Sequence, residues 1–124
     1  MTTPLALICF ENLLLGNQLA NRLQDLGYRI HTIHDAKTLE ADAQREKPLL
    51  LIVDLDATRG EACDAIRRVK KNPDTAHLPV LAFSTRKEKK VREAAQSAGA
   101  DLVAGQQAIL EQLPRLLDQV LEVE

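Results

Sequence analysis

Carboxylate, hydroxyl and amide side chains stand just beyond the ends of four apolar segments in this sequence. Asp54 follows one segment, Ser84 and Thr85 follow the next, and Glu11 and Gln106 lie beyond the first and the last. Carboxylates bind hard cations and accept hydrogen bonds, whereas hydroxyls and amides both donate and accept. In an open sheet of parallel strands, ligands bind beyond the carboxyl ends of the strands. The spacing therefore predicts that these five side chains share one site.

Five segments have the composition of strands. Residues 5–10, 49–53 and 80–83 are continuous apolar runs, which are typical of strands covered on both faces in a parallel sheet. Residues 28–33 alternate in polarity, which favours a strand nearer an edge, and residues 101–104 predict a short fifth strand. The candidate site residues follow four of these five strands.

Helical spacing of apolar residues fills the gaps between the strands. In chain order, the apolar stripes are Leu15-Leu19-Leu23-Leu26, Leu39-Ala43, Ala62-Ile66-Val69, Val91-Ala94-Ala95-Ala98 and Leu113-Leu117-Val120-Leu121. Gly27 and Gly99 are placed to end the first and fourth helices, and Pro114 fits the fifth helix only in its first turn. Five strands alternating with five helices predict an α/β three-layer sandwich, formed by a single domain over residues 1–124.

Composition excludes several classes of protein. The 124 residues include 16 Lys+Arg against 18 Asp+Glu, a net charge of −2, and only three aromatic side chains, so we expect no nucleic-acid binding. No apolar run approaches the roughly 20 residues of a membrane span, and the N-terminus lacks the pattern of a signal peptide. We therefore expect a cytoplasmic protein without a membrane contact.

Three segments stand in an order and spacing that suggest a known family. They are Pro48-Leu49-Leu50-Leu51-Ile52-Val53-Asp54, Lys70-Lys71-Asn72-Pro73-Asp74-Thr75-Ala76-His77-Leu78-Pro79-Val80 and Ala98-Gly99-Ala100-Asp101. With them, essentially the whole chain resembles a response-regulator receiver domain of the chemotaxis-regulator type. The segments resemble, in turn, the third strand, the end of the third helix with the entry to strand four, and the turn before strand five. The resemblance implies a flavodoxin-like parallel sheet of order 2-1-3-4-5 and a role in two-component (phosphorelay) signalling.

The resemblance also assigns roles to residues of the candidate site. Asp54 matches the phosphoacceptor, and Ser84, at 84 − 54 = 30 residues beyond it, matches the switch hydroxyl, with Thr85 beside it. An acidic pair after the first strand holds Mg²⁺ in the family, so Glu11 and Asp54 are the candidate metal ligands. A Lys after the fifth strand binds a phosphoryl oxygen in the family, and its position here is that of Gln106.

The sequence departs from the family pattern at two of these positions. Phe10 stands where one acid of the pair is expected, and we expect its ring at the mouth of the site, where it would dry and crowd the pocket. Gln106 offers a neutral hydrogen bond, roughly half as strong as the charge-assisted bond of a Lys. Asp56 could supply a substitute carboxylate, but alternation along a strand would point it away from Asp54. These departures imply a degenerate, or pseudo-, receiver with no cofactor or with weakly bound Mg²⁺.

Charged segments flank the predicted fifth strand on both sides. The candidate partner-face residues are Lys87, Lys89, Lys90 and Arg92 on the basic side and Glu111 and Asp118 on the acidic side. Such clusters are usually solvated faces, but the resembled family often dimerises through its fourth helix, fifth strand and fifth helix. The resemblance therefore implies a face for a second copy of the chain or for another signalling protein.

Three functions are compatible with the sequence. The first is a non-enzymatic receiver-like module that works by protein–protein contact, with impaired or absent phosphorylation of Asp54. The second is a working single-domain response regulator that a histidine kinase phosphorylates on Asp54. The third is a small-molecule or cofactor binder on the same flavodoxin-like fold, which no glycine-rich phosphate loop supports.

Overall fold

A computed structural model describes residues 4–10, 13–33, 35–56, 61–85 and 89–121. These residues form five strands and six α-helices. The strands are β1 (Leu5–Cys9), β2 (Arg29–Ile33), β3 (Leu50–Asp54), β4 (Val80–Ser84) and β5 (Leu102–Gly105). The helices are α1 (Leu13–Asp25), α2 (Leu39–Glu46), α3 (Glu61–Lys71), α4 (Lys89–Ala98), α5 (Gln106–Glu111) and α6 (Leu113–Leu121), and a 3₁₀ turn (Ala36–Thr38) precedes α2.

The strands form one parallel sheet of order β2-β1-β3-β4-β5. The predicted fold class and strand order are therefore confirmed. β2 lies at an edge, as its alternating pattern indicated, whereas the continuous apolar runs form the interior strands β1, β3 and β4. Two residues of those runs lie outside the strands: Leu49 precedes β3 and is 44% exposed, and Phe10 follows β1 and is buried.

The sheet separates two apolar cores. One core lies between the sheet and helices α2, α3 and α4, and the other lies between the sheet and helices α1, α5 and α6. Successive residues of a strand point to opposite faces, so Ala6 and Ile8 of β1 face α1, whereas Leu7 and Cys9 face the other layer. This alternation decides on which side each residue at a strand end is held.

Helices α1 and α4 end at the two glycines predicted to end them. Gly27 and Gly99 have positive φ angles of 95° and 117°, which end α1 and α4. Leu26 lies beyond the end of α1 and is exposed, so it does not belong to the buried stripe predicted for that helix. Pro114 is the second residue of α6, which is the first-turn position that it requires.

The stripe predicted for the fifth helix forms α6, and an additional short helix precedes it. Gln106–Glu111 form α5, which is six residues long and contributes Ile109 to the core, and Leu113 then begins α6. The short α5 gave no recognisable stripe in the sequence, because its three apolar residues, Ala108, Ile109 and Leu110, are consecutive and define no helical period. None of the helices described is long and apolar enough to cross a membrane.

Two segments that resemble the receiver family meet at the amino ends of β4 and β5, far from the candidate site. Nζ of Lys70 donates hydrogen bonds to the carbonyl oxygen of Leu78 at 2.8 Å and to Oδ2 of Asp101 at 2.9 Å. The same Asp101 oxygen accepts the backbone N–H of Val80 at 2.8 Å. These motifs therefore fix the entry of two strands into the sheet and take no part in the chemistry of the opposite edge.

Candidate functional site

The carboxyl ends of the central strands bring the candidate residues to one edge. Asp54 and Ser84 are the last residues of β3 and β4, and the register pairs Ser84 with Gly105, the last residue of β5. Thr85 follows β4, and Gln106 begins α5 directly after β5. These residues lie close together because the strands are parallel, which places the carboxyl ends of all the strands at the same edge of the sheet.

Asp54 is a buried carboxyl group held by a local turn. Its residue is 3% exposed, and its Oδ1 accepts the backbone N–H of Asp56 at 2.9 Å. The N–H of Leu55 donates to the carbonyl oxygen of Phe83 at 2.8 Å, which continues the β3–β4 pairing by one residue. Leu55 still packs in the same core as Val53, as alternation along β3 predicts, and the chain turns away at Asp56.

Asp56 is bonded to the end of the neighbouring strand. Its Oδ1 accepts the Ser84 hydroxyl at 2.8 Å, and its Oδ2 accepts both the backbone N–H and the hydroxyl of Thr85, at 2.8 and 2.7 Å. The expectation that strand alternation points Asp56 away from Asp54 is wrong, because alternation places residues two apart on the same face, and residue 56 lies in the turn after β3. A second aspartate two residues after the first, opposite a Ser-Thr pair, was the signal that could have indicated this contact.

Phe10 lies in the core and not at an open mouth of the site. It is 1% exposed and belongs to the cluster of α1, α5 and α6, on the same face of the sheet as Ala6 and Ile8. Its backbone N–H donates to the carbonyl oxygen of Ile33 at 3.0 Å. The expectation that the ring crowds the pocket is therefore wrong: alternation along β1 turns it toward α1, where burial of its apolar surface is favourable.

Gly16 of α1 provides the space that the Phe10 ring occupies. A Cβ atom at Gly16 would overlap Cδ2 and Cε2 of the ring and lie 2.5 Å from its Cγ. Glycine inside a helix is about 1 kcal/mol less favourable than alanine, so its presence here has a packing reason. The two residues form a matched pair, which we call the Phe10–Gly16 pair.

Gln106 faces an open groove that also reaches the end of β4. The groove has a volume of about 670 Å³ and is lined by Ser84, Thr85, Gly105, Gln106, Gln107, Ala108, Leu110, Glu111 and Gln112. Gln106 is exposed and uncharged, so a group bound there would meet amide and hydroxyl hydrogen bonds. The structure thus brings together three of the predicted pocket residues, Ser84, Thr85 and Gln106, and leaves Phe10 out.

The described residues show no cluster of metal-ligating side chains at this edge. They contain no group of three or more His, Cys, Asp or Glu side chains that could hold a metal ion. Mg²⁺ takes oxygen ligands in nearly octahedral geometry. Asp54 offers a carboxylate at this edge, the Asp56 oxygens accept three hydrogen bonds, and Phe10 offers no ligand. Glu11, the other predicted ligand, lies outside the described residues.

The charged residues predicted for a partner face are distributed over both helical layers. Lys89, Lys90 and Arg92 are exposed on α4, and Lys89 lies 4.0 Å from Glu93 in an i,i+4 ion pair. Glu111 is exposed on α5, where it accepts a hydrogen bond from Gln107 at 3.1 Å. Lys87 lies outside the described residues. The helices α4 and α5 both contact β5, so these residues flank one edge of the sheet.

Asp118 on α6 is exposed and lies within electrostatic reach of Tyr28, which follows α1. Burial raises the pKa of the Tyr28 phenol above its ordinary value, and the negative charge of Asp118 raises it further. The acidic residues Glu111 and Asp118 therefore have different neighbours.

We predict that Asp118→Asn lowers the pKa of Tyr28 but leaves it above that of free tyrosine, because burial is the larger cause and is unchanged. Since the chain has one Tyr and no Trp, the ultraviolet absorbance of the phenolate follows this single group through an alkaline titration. Glu111→Gln, which removes an acidic charge from α5, is the matched control and should leave the titration unchanged. An unchanged titration of Asp118→Asn would contradict the prediction.

No protein-family model matches the sequence. The virulence transcriptional regulatory protein PhoP of Shigella flexneri is 27% identical over 128 aligned positions, which cover 94% of this chain and 56% of PhoP. The chain therefore spans about half the length of the curated relatives it matches.

Solved structures of receiver domains superpose closely on the chain. A response regulator from Chloroflexus aurantiacus gives a TM-score of 0.90 at 19% identity, over 98% of this chain and 100% of its own. The receiver domain of a sensor histidine kinase from Pseudomonas aeruginosa, with a magnesium ion in its active-site cleft, gives 0.88 at 18% identity over the same fractions. The chain therefore has the fold of a response-regulator receiver domain.

Proposed function

We propose that the chain is a receiver-like module of two-component signalling that acts in the cytoplasm by protein–protein contact, with phosphorylation of Asp54 impaired or absent. The receiver fold and the place of Asp54 at the end of the central strand β3 support the first part. The PhoP relatives, which are transcriptional regulatory proteins, support a regulatory role. We further propose that its partner is a histidine kinase or a downstream effector.

The burial of Phe10 is the observation that carries the second part of the proposal. A ring that is 1% exposed in the α1 core offers no oxygen to a cation at the neighbouring end of β3. Losing one carboxylate lowers the affinity of such a site for Mg²⁺, which gives up its water ligands reluctantly. A cation at this edge would neutralise the charge of an arriving phosphoryl group, so its weak binding disfavours transfer to Asp54.

Gln106 supports the same conclusion from the other side of the site. Its side chain is exposed at the start of α5, in the groove shared with Ser84 and Thr85. A neutral amide forms a hydrogen bond with a phosphoryl oxygen but supplies no charge, so the bond is roughly half as strong as that of an ammonium group. With the cation and the ammonium group both weakened, a transferred phosphoryl group lacks two sources of stabilisation.

We expect the unmodified protein to take up no phosphoryl group when it is incubated with acetyl phosphate and Mg²⁺. Intact mass before and after incubation measures the uptake. Asp54→Asn is the control, because it removes the only proposed acceptor and keeps the shape of the side chain. A mass increase of one phosphoryl group in the unmodified protein, absent from Asp54→Asn, would support the working response regulator instead.

The proposal for the metal is that Mg²⁺ binds weakly or not at all. Calorimetric titration with Mg²⁺ is expected to give no isotherm in the micromolar range. An isotherm in that range, abolished by Asp54→Asn, would show that Glu11 and Asp54 suffice as ligands and would contradict this part of the proposal.

We also propose that, where the chain pairs with itself, it does so through the edge formed by α4, β5 and the helices α5 and α6, with Glu111 and Asp118 on its acidic side. Basic residues of α4 and Glu111 of α5 flank this edge, and a two-fold interface sets each patch of one copy against the opposite patch of the other. Lys89→Glu with Lys90→Glu is expected to weaken the association, and added salt is expected to weaken it too. Sedimentation velocity measures both effects. Association that is indifferent to the two substitutions and to salt would exclude this edge.

A further inference from the structure

Three hydrogen-bond donors at the end of β4 are directed at one carboxylate of the same chain. The Ser84 hydroxyl donates to Asp56 Oδ1 at 2.8 Å, and the N–H and hydroxyl of Thr85 donate to Asp56 Oδ2 at 2.8 and 2.7 Å. The distances are those of well-formed hydrogen bonds. Ser84 is only 4% exposed, so its hydroxyl depends on a protein partner such as this carboxylate.

Asp56 also links these donors to Asp54. Its backbone N–H donates to Asp54 Oδ1 at 2.9 Å, while its side chain binds Ser84 and Thr85. One residue therefore joins the ends of β3 and β4 from both its main chain and its side chain. A change at Asp54 can therefore reach the Ser84–Thr85 segment by displacing or moving Asp56.

An external oxyanion at this edge would compete with Asp56 for the same donors. A phosphoryl group, like a carboxylate, presents oxygens that accept hydrogen bonds from hydroxyls and N–H groups. To reach Ser84 and Thr85 it must displace the Asp56 carboxylate, which loses three bonds and stays close to a second negative charge. The arrangement with the internal carboxylate is thus favoured over the arrangement with an external anion.

We propose that Asp56 is a resident anion that occupies the Ser84–Thr85 donors, so that this segment keeps one conformation and does not respond to an oxyanion at the strand ends. The inference rests on the proposed function, because it assumes that this edge corresponds to the site of a receiver. It gives a reason for impaired signalling that is independent of Phe10 and Gln106. Those two residues disfavour binding and transfer of a phosphoryl group, whereas Asp56 prevents the Ser84–Thr85 segment from responding to one.

Hydrogen exchange of the Thr85 amide tests the contact directly. Thr85 is exposed, so its N–H is expected to exchange slowly in the unmodified protein only because Asp56 accepts it. The second measurement compares Asp54→Asn with the double variant Asp54→Asn plus Asp56→Ala in inorganic phosphate. The Asp54→Asn change removes a repulsive charge and keeps an oxygen for the Asp56 N–H, so the pair differs only at residue 56.

Phosphate is expected to slow exchange of the Thr85 amide in the double variant by roughly tenfold or more, the factor that one recovered bond to an ion gives. It is expected to leave Asp54→Asn alone unchanged. Asp64→Ala, which removes a carboxylate from the surface of α3, controls for the change in net charge. If the double variant does not fold, Asp56→Asn replaces Asp56→Ala, since it keeps the size of the side chain and loses the charge.

Three results would overturn the inference: a Thr85 amide that exchanges at the unprotected rate in the unmodified protein, phosphate that slows exchange equally with and without Asp56, or phosphate that has no effect on either variant. None of these measurements depends on phosphorylation of Asp54, which is absent from the compared pair. Failure of the proposed function, read by uptake from acetyl phosphate, is therefore distinguishable from failure of this inference.

Discussion

Gly16→Ala is expected to destabilise the protein by about 3 kcal/mol, although alanine is normally the better helix residue. The new Cβ would overlap the Phe10 ring, and a buried ring has little room to move, so the change overpacks a dense core. The opposing gain in helix propensity is about 1 kcal/mol and does not offset it. The shift in the midpoint of urea denaturation measures the net effect.

Making Gly16→Ala in a Phe10→Ala variant tests the Phe10–Gly16 pair. Phe10→Ala alone should cost about 3–5 kcal/mol, because it leaves a cavity beneath α1. With the ring gone, Gly16→Ala should become neutral or stabilising, so the two changes are strongly non-additive. Gly105→Ala is the control: a Cβ there has no atom within 4 Å and the backbone φ is −84°, so little change is expected. Additive effects at positions 10 and 16 would show that the ring and the helix do not contact each other.

The pair also shows where prediction from sequence ends. The three interior strands were predictable because a strand buried on both faces is apolar at every position. The helices of the two layers were predictable because a helix buried on one face has apolar residues at helical spacing. Strand alternation, continued one residue past β1, would have placed Phe10 toward α1. The expectation that the Phe10 ring lies at the mouth of the site came from the family resemblance instead. The resemblance indicates which family position Phe10 occupies, but it does not indicate where an aromatic side chain at that position packs.

Asp56 illustrates a different limit. Alternation extended to residue 56 would place Asp56 on the same face as Asp54, so the sequence did not support pointing it away. The actual position of Asp56 depends on where β3 ends, and strand ends are among the least certain features of a sequence-based prediction. The composition of the site was visible in Asp54, Ser84, Thr85 and Gln106, since parallel strands bring their carboxyl ends together. The hydrogen bonds among them were not, because they depend on one turn.

Phosphoryl uptake is expected to appear when three substitutions are combined: Phe10→Asp, Gly16→Ala and Gln106→Lys. The first supplies a carboxylate at the position next to Asp54, one residue beyond the paired Cys9 and Val53. The third supplies a cation in the groove that reaches Ser84. The second closes part of the space that the Phe10 ring leaves over α1, so the new carboxylate does not stand beside a cavity. Uptake from acetyl phosphate with Mg²⁺ is expected to rise from background to close to one group per chain, as measured by intact mass.

Each partial combination is expected to fail, and the reasons differ. Gln106→Lys alone leaves the cation site short of a ligand. Phe10→Asp with Gly16→Ala restores the ligand but leaves a phosphoryl oxygen without its cation, and without bound metal it adds a charge that repels Asp54. Since the metal and the ammonium group stabilise different parts of one developing charge, their effects should exceed the sum of the parts. Asp54→Asn in the triple background must abolish the uptake. A triple variant that folds and stays inert would contradict the roles given to Phe10 and Gln106, and Asp56, which holds both Ser84 and Thr85, would be the next residue to replace.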